Sequence, residues 1–382
     1  MKQQVRSGID RMEILHGLLR QGRLGLMTNQ TGINCEFRST TELLQEQYRL
    51  TALFAVEHGI RGNIQAGENV DPYPDPRTGL TVWPVYGGNH RLTAEMLEQF
   101  DIFCFDMQDV GARFYTYLYA LSFAMEECAK TGKPVVVFDR INPLGGEKIQ
   151  GTVLDPAFAS YIGMYPIPTR YGMTIGEYAR WVKNHLGLAS LELRVVPLEG
   201  WKRKMRPEET GVPWPAPSPN CPTFHCARAY VGTCVFEGTN VSEGRGTTMP
   251  FEYIGAPWID ADALGDALRT QEISGIRYRP AWFTPTFSKY AGEVCAGVQM
   301  HITDPEEADP VLGALTLLDA IRERYPGKLT WTEPWPGSYT IDKILGTDRY
   351  RQGQEKAAVF LEKYRGEREM FRKERESFLL YE

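Results

Sequence analysis

The sequence predicts an α/β protein: a doubly wound, mostly parallel Rossmann-like sheet followed by a smaller C-terminal α+β domain. Three observations predict it. Apolar runs alternate with helix-period segments through the first half, and strands separated by helices imply a parallel sheet with both faces covered. Helix start and stop signals sit where the alternation demands them. Beyond a Pro-rich loop, "VPWPAPSPNCPT" (212–223), the pattern changes character. The chain has 382 residues, 42% of them hydrophobic and 24% charged, which is globular composition and length enough for two domains. The expected division is a Rossmann-like domain over 1–245 and a smaller α+β domain over 246–382.

The elements follow in order. "RLGLMTN" (23–29) reads as a strand, "STTELLQEQY" (39–48) as a helix and "LTALFAV" (50–56) as a strand. "DIFCFDMQD" (101–109) is the third strand. The next helix is "FYTYLYALSFAMEECAKTG" (114–132), where Phe114, Leu118, Leu121, Met125 and Cys128 recur at helical spacing and Gly132 supplies the stop. "PVVVFDR" (134–140) is a strand. "TIGEYARWVKNHLG" (174–187) is a helix with Thr174 as N-cap and Glu177 completing a capping box. "LELRVVPL" (191–198) is the fifth strand. The stretch 229–258 reads as one strand leading into a Gly-rich polar segment. Helix (260–270), strand (276–280), strand (296–302) and helix (309–324) follow. Residues 354–382 interleave seven Lys/Arg and seven Glu with aromatic and aliphatic residues, the pattern of an amphipathic helical tail.

Bulk composition excludes several classes. The net charge is −6, so no global basic field invites nucleic acid or an anionic membrane. No apolar run approaches the ~18 residues of a spanning helix. "MKQQVRSGIDRMEILHG" is amphipathic rather than signal-like, and the seven cysteines are scattered and odd in number, so a cytoplasmic location is expected. The alternative is a secreted protein whose signal peptide has been removed. Oligomeric state is not legible.

In open parallel sheets ligands bind outside the carboxyl ends of the strands. Strand one ends on Thr28-Asn29, strand two on Glu57-His58-Gly59 with Arg61 close behind, and strand three on Asp106, Gln108 and Asp109, ahead of Arg113 and Tyr115. Strand four ends on Asp139, Arg140 and Asn142. Four strands thus discharge polar groups toward one rim. Any single one of these reads equally well as a helix cap or turn former, and Asp106 and Asp139 most of all. Glu57 stands apart, because glutamate is a poor cap and a poor turn residue. Paired carboxylates facing a cleft suit glycoside hydrolysis, in which one protonates the leaving oxygen and the other activates water or attacks carbon. Glu57 is the candidate acid, with Glu68 and Asp109 as candidates for its partner; His58 reads equally as a structural histidine.

Other chemistries fit less well. There is no G-x-S-x-G, no G-x-x-x-x-G-K-[ST], and no G-x-G-x-x-G after strand one. Cys221, His225 and Cys226 lack zinc-site spacing and a second pair. In "FEGTNVSEGRGTT" (236–248), Glu237, Asn240, Ser242 and Arg245 suit hydroxyls and a carboxylate better than a phosphate. No metal or organic cofactor is expected.

The segments "LFAVEHGIRG", "AGE", "FDMQDVGARFYTY", "DRINPLGG", "PSPNCPT" and "FEGTNVSEGRGTTMPFEYIGAPW" together resemble the NamZ-type exo-β-N-acetylmuramidases over roughly residues 8–382. The resemblance implies a Rossmann-like domain and a smaller α/β domain with the active cleft between them. It implies release of terminal N-acetylmuramic acid (MurNAc) from the non-reducing ends of peptidoglycan fragments, with Glu57 matching the family's proposed acid. It also implies that Glu68, Asp109, Arg113, Tyr115, Asn142, Asn220, Glu237, Asn240 and Arg245 fall in the cleft region. A MurNAc substrate carries a lactyl carboxylate, for which a guanidinium fork is the natural partner, so Arg61, Arg113, Arg140 and Arg245 are its candidates. Tyr115, Tyr117, Trp83 and Trp214 are candidates for stacking on sugar faces, and Asn29 and His58 are further substrate-binding candidates. Substrate assistance by the 2-acetamido group, oriented by Asp109, is a second route. Two further readings stay open: a non-catalytic muropeptide-binding protein, and a metal-assisted amidase or deacetylase using His58, Asp106 and Asp109.

Overall fold

The apolar runs of the first half become the strands of one sheet, seen in a computed structural model that describes residues 5–57, 59–62, 71–87 and 90–382. The strands are β1 (Leu24–Thr28), β2 (Leu50–Ala55), β3 (Tyr73–Pro74), β4 (Thr81–Pro84), β5 (Ile102–Asp106) and β6 (Val135–Phe138), then β9 (Leu193–Val196) after a hairpin of β7 (Gln150–Val153) and β8 (Pro168–Arg170). The order across the sheet is β3-β4-β2-β1-β5-β6-β9. Every neighbour pair is parallel except β3 with β4. The five strands expected from the sequence form the interior and one edge. The pair β3–β4 was not expected: two and four residues long, with a proline in each, it carries too little periodicity to read.

Side chains alternate across the sheet with period two. Phe103 and Phe105 of β5 pack on one face with Met27, Phe54, Val135 and Val137. Ile102 and Cys104 face the other, with Leu24, Leu26, Val136 and Phe138. The second face is covered by α1 (Thr40–Gln47), which buries Leu43 and Leu44, and by a 3-10 segment, Gly8–Leu15, which buries Ile9 and Met12. The first face is covered by α2 (Tyr117–Thr131) and α3 (Ile175–His185). Both helices begin and end as their sequences dictate. Gly132 takes the left-handed conformation, φ 66°, that stops α2. Thr174 accepts from the Glu177 amide and the Glu177 carboxylate accepts from the Thr174 amide at 3.0 Å, closing the expected capping box.

One expectation is corrected. Residues 229–233 are not a strand: they end helix α4 (Phe224–Thr233), and Cys234–Gly238 continue as a 3-10 turn. The β-branched and aromatic residues of "AYVGTCVF" suggested a strand, yet Thr223 caps the helix by accepting from the Cys226 amide. Tertiary packing then fixes it. A Cβ on Gly232 would lie 1.9 Å from the Pro310 carbonyl oxygen, so only glycine lets α4 cross α6 (Pro310–Arg324) this closely. Between them in sequence lie α5 (Ala261–Arg269) and an antiparallel sheet ordered β10 (Tyr253–Ala256), β12 (Cys295–Ile302), β11 (Ile276–Phe283).

The charged tail is helical but broken into α7 (Ala357–Glu362) and α8 (Arg365–Arg375). It returns to the first half of the chain. Phe371 meets Trp181 of α3 edge-on, and the Trp181 indole donates to Glu374 at 2.7 Å. Tyr381 donates to buried Asp139 at 2.5 Å. Among the described residues no helix is long and apolar enough to cross a membrane, and all seven cysteines are free thiols.

Candidate active site

The carboxyl end of β2 and the start of α2 face segments 218–221 and 230–251 across an open hollow of about 210 Å³. Glu57 enters it two residues past β2, behind the fully buried Leu53-Phe54 pair, and is itself half-buried. Its Oε1 accepts the Tyr86 hydroxyl at 2.8 Å.

Tyr115 and Tyr117 form the wall beside Glu57, their rings edge-to-face with centroids 4.7 Å apart. The Tyr117 hydroxyl donates to the Pro217 carbonyl at 2.6 Å and accepts from Asn29 Nδ2 at 2.7 Å. Asn29 therefore supports the wall from behind through Tyr117. Burial pushes both phenols above their ordinary range, so they remain neutral donors. Ser218, Pro219, Asn220 and Cys221 of the Pro-rich loop line the next side.

Glu237 and Arg245 stand on the opposite wall with Tyr230 and Phe251. Arg245 Nη2 donates to Glu237 at 2.6 Å, its Nε lies 3.3 Å from Glu243, and its guanidinium sits 5.0 Å over the Phe251 ring. Lys289 balances Glu243 at 3.0 Å. The two glutamates hold Arg245 firmly charged, raising it above its ordinary value against the opposing effect of burial.

The hollow thus gathers Glu57, Tyr115, Tyr117, Asn220, Glu237 and Arg245 of the sequence candidates. Others lie elsewhere. Arg61 is half-exposed and pairs with buried Asp75 at 2.6 Å, beside a separate depression that also contains Asn29. Arg113 is fully buried and donates to the carbonyls of Thr152, Ile167 and Ile344 at 2.6, 2.8 and 2.9 Å. Burial pushes it down to about 10. Arg140 donates to Asp106 at 2.5 and 2.8 Å and to the Ile33 carbonyl at 2.9 Å. Asn142 bridges the Met173 carbonyl and the Leu144 amide. Asn240 bridges the Lys328 carbonyl and the Thr330 amide. Asp109 is buried and does not line the hollow; its Oδ2 accepts from the Gly111 amide at 2.6 Å and from the Tyr171 hydroxyl. Among the described residues its Oδ1 has no hydrogen-bond partner, and burial pushes the carboxyl up to about 6. His58 and Glu68 lie outside the described residues. Asp106 is committed to Arg140 and Thr40, and among the described residues no three His, Cys, Asp or Glu gather into a group able to hold a metal. Among the stacking candidates, Trp214 packs on Phe224, and Trp83 lies against the core.

Sequence reading missed Tyr86, Tyr230 and Phe251. Tyr86 follows a strand too short to read, and Tyr230 sits in the helix mistaken for a strand.

The description "Exo-beta-N-acetylmuramidase NamZ, N-terminal" matches residues 24–225, and its C-terminal counterpart matches 228–381. The chain belongs to the NamZ family. Family membership makes it an enzyme of the glycoside hydrolase class. It is 41% identical over 386 aligned residues to the peptidoglycan beta-N-acetylmuramidase NamZ of Bacillus subtilis (strain 168), spanning 100% of this chain and 92% of that protein. Two DUF1343-family proteins of Bacteroides fragilis NCTC 9343 with crystal structures share the NamZ fold. One superposes with a TM-score of 0.91 at 30% identity, the other with 0.79 at 28%, each over 99% of both chains.

Proposed function

We propose that this chain is an exo-acting hydrolase that releases non-reducing terminal MurNAc from β-1,4-linked peptidoglycan fragments such as MurNAc-GlcNAc, with Glu57 as the general acid. The observation that carries the proposal is the convergence on one sugar-sized hollow of an acid at a strand end, an aromatic wall and a guanidinium. Glu57 donates its proton to the glycosidic oxygen as the C1–O bond breaks, giving a free hydroxyl on the departing sugar; water, attacking directly or after the 2-acetamido oxygen, bonds to C1 and its released proton restores the Glu57 carboxyl. Arg245 meets the lactyl carboxylate. Its Nη2 and Nε are engaged by Glu237 and Glu243, so Nη1 is the nitrogen presented to a third anion. Tyr115 and Tyr117 offer ring surface to the sugar, and Glu237 accepts from its hydroxyls.

The test is mass spectrometry of the products from MurNAc-GlcNAc incubated with wild type and with Glu57→Gln. Free MurNAc and GlcNAc are expected from wild type, and a loss of about 10²–10⁴-fold in rate from the variant. Full turnover by Glu57→Gln overturns the acid assignment. Saturable binding without release of MurNAc by wild type overturns this choice of substrate.

A further inference from the structure

Glu57 has a partner that sequence reasoning did not reach. Strands β2 and β4 run parallel with Leu53 opposite Val82, Phe54 opposite Trp83 and Ala55 opposite Pro84. The ladder continues past the strand ends, the Val85 amide donating to the Ala55 carbonyl at 2.8 Å. That register carries Glu57 and Tyr86 out of the sheet side by side, where the Tyr86 hydroxyl donates to Glu57 Oε1 at 2.8 Å. The phenol is itself held. Its ring lies edge-on to His90 with centroids 6.0 Å apart, and His90 stacks on Tyr161 at 3.8 Å.

We propose that Tyr86 is a positioning residue for the general acid: it ties down Glu57 Oε1, so that Oε2 carries the proton and faces the glycosidic oxygen. The inference rests on Glu57 being that acid. As the C1–O bond breaks, its electron pair goes to the leaving oxygen, the Glu57 proton follows and the carboxylate is left negative, while C1 takes its new bond from a water oxygen or from the substrate's 2-acetamido oxygen. Tyr86 keeps its own proton throughout. Its hydrogen bond strengthens as charge develops on Glu57, so the bond stabilises the transition state more than the ground state. The help matters only where the leaving oxygen needs protonation. A sugar hydroxyl needs it, whereas a nitrophenolate leaves without it.

The test compares Tyr86→Phe with wild type on two substrates, MurNAc-GlcNAc and 4-nitrophenyl β-MurNAc. Phe keeps the ring and removes the hydroxyl alone. The expected result is a fall of about 10–100-fold in kcat on the disaccharide, the loss of one hydrogen bond to a charged group, with KM little changed. On the nitrophenyl glycoside the expected change is under about threefold. The ratio of the two rates in one preparation is independent of the folded fraction, so partial misfolding does not mimic the result. Equal losses on both substrates, or none on either, overturn the role of Tyr86. Glu57→Gln is measured alongside. If it too loses equally on both substrates, the acid reading itself fails; if it alone discriminates by leaving group, the acid reading stands and the Tyr86 proposal falls.

Discussion

Replacing Arg140 with Met separates a structural guanidinium from a substrate-gripping one. Asp106 is fully buried and accepts from Arg140 Nε at 2.5 Å, from Nη2 at 2.8 Å and from the Thr40 hydroxyl. Arg140→Met removes the two charge-assisted bonds and leaves a carboxylate in the core with one hydroxyl donor. Breaking a buried pair by deleting one partner costs about 3–5 kcal/mol, because the remaining charge is uncompensated. At roughly 2.1 cal/mol/K per residue, a chain of 382 residues unfolding as a unit has an unfolding entropy near 0.8 kcal/mol/K. The expected shift in Tm is therefore a fall of about 4–6 °C. Differential scanning calorimetry measures it, and KM for MurNAc-GlcNAc is expected to stay within about twofold, since Arg140 does not line the hollow. The double variant Asp106→Asn/Arg140→Met is expected to lose less than the single one, because no charge is stranded. An unchanged Tm together with a tenfold rise in KM would refute this reasoning and return Arg140 to the substrate.

Two further outcomes follow from the site. Asp109 in the folded chain holds its proton up to about pH 6, chiefly through burial, whereas an unfolded aspartate releases it near pH 4. The folded state then binds more protons between those values, so this group's contribution to stability declines as pH rises from about 4 to 6, by up to about 3 kcal/mol. Urea unfolding of Asp109→Asn across that window should lack this decline, and an identical slope in variant and wild type contradicts the buried, protonated carboxyl. Arg245→Gln is expected to raise KM for MurNAc glycosides by about tenfold or more, while turnover of the matching GlcNAc glycosides, which carry no lactyl carboxylate, changes little. Equal effects on both would show that Arg245 serves only to hold Glu237.

The central sheet was legible because its signals are local: apolar runs of strand length, the Thr174/Glu177 capping box and the Gly132 stop each act within a few residues of chain. The place of Glu57 at the hollow was legible too, since it ends an apolar run at the sheet's carboxyl rim. What stayed hidden depended on residues far apart in sequence. Arg113, Arg140 and Asn142 end strands or open helices as ligand-binding groups would, yet each is used up by a carbonyl, amide or carboxylate that only the folded chain brings within reach. Helix α4 overrode its strand-like composition because Gly232 lets it press against Pro310. Tyr86 became the neighbour of Glu57 through the register of two parallel strands, a relation fixed by backbone hydrogen bonds that no residue type announces. Composition and periodicity determined which faces are buried and toward which rim polar groups gather, since burial of apolar side chains is read residue by residue. Which polar groups at that rim remain available to a sugar was decided by tertiary structure, because a buried hydrogen-bonding group takes whatever partner the fold supplies.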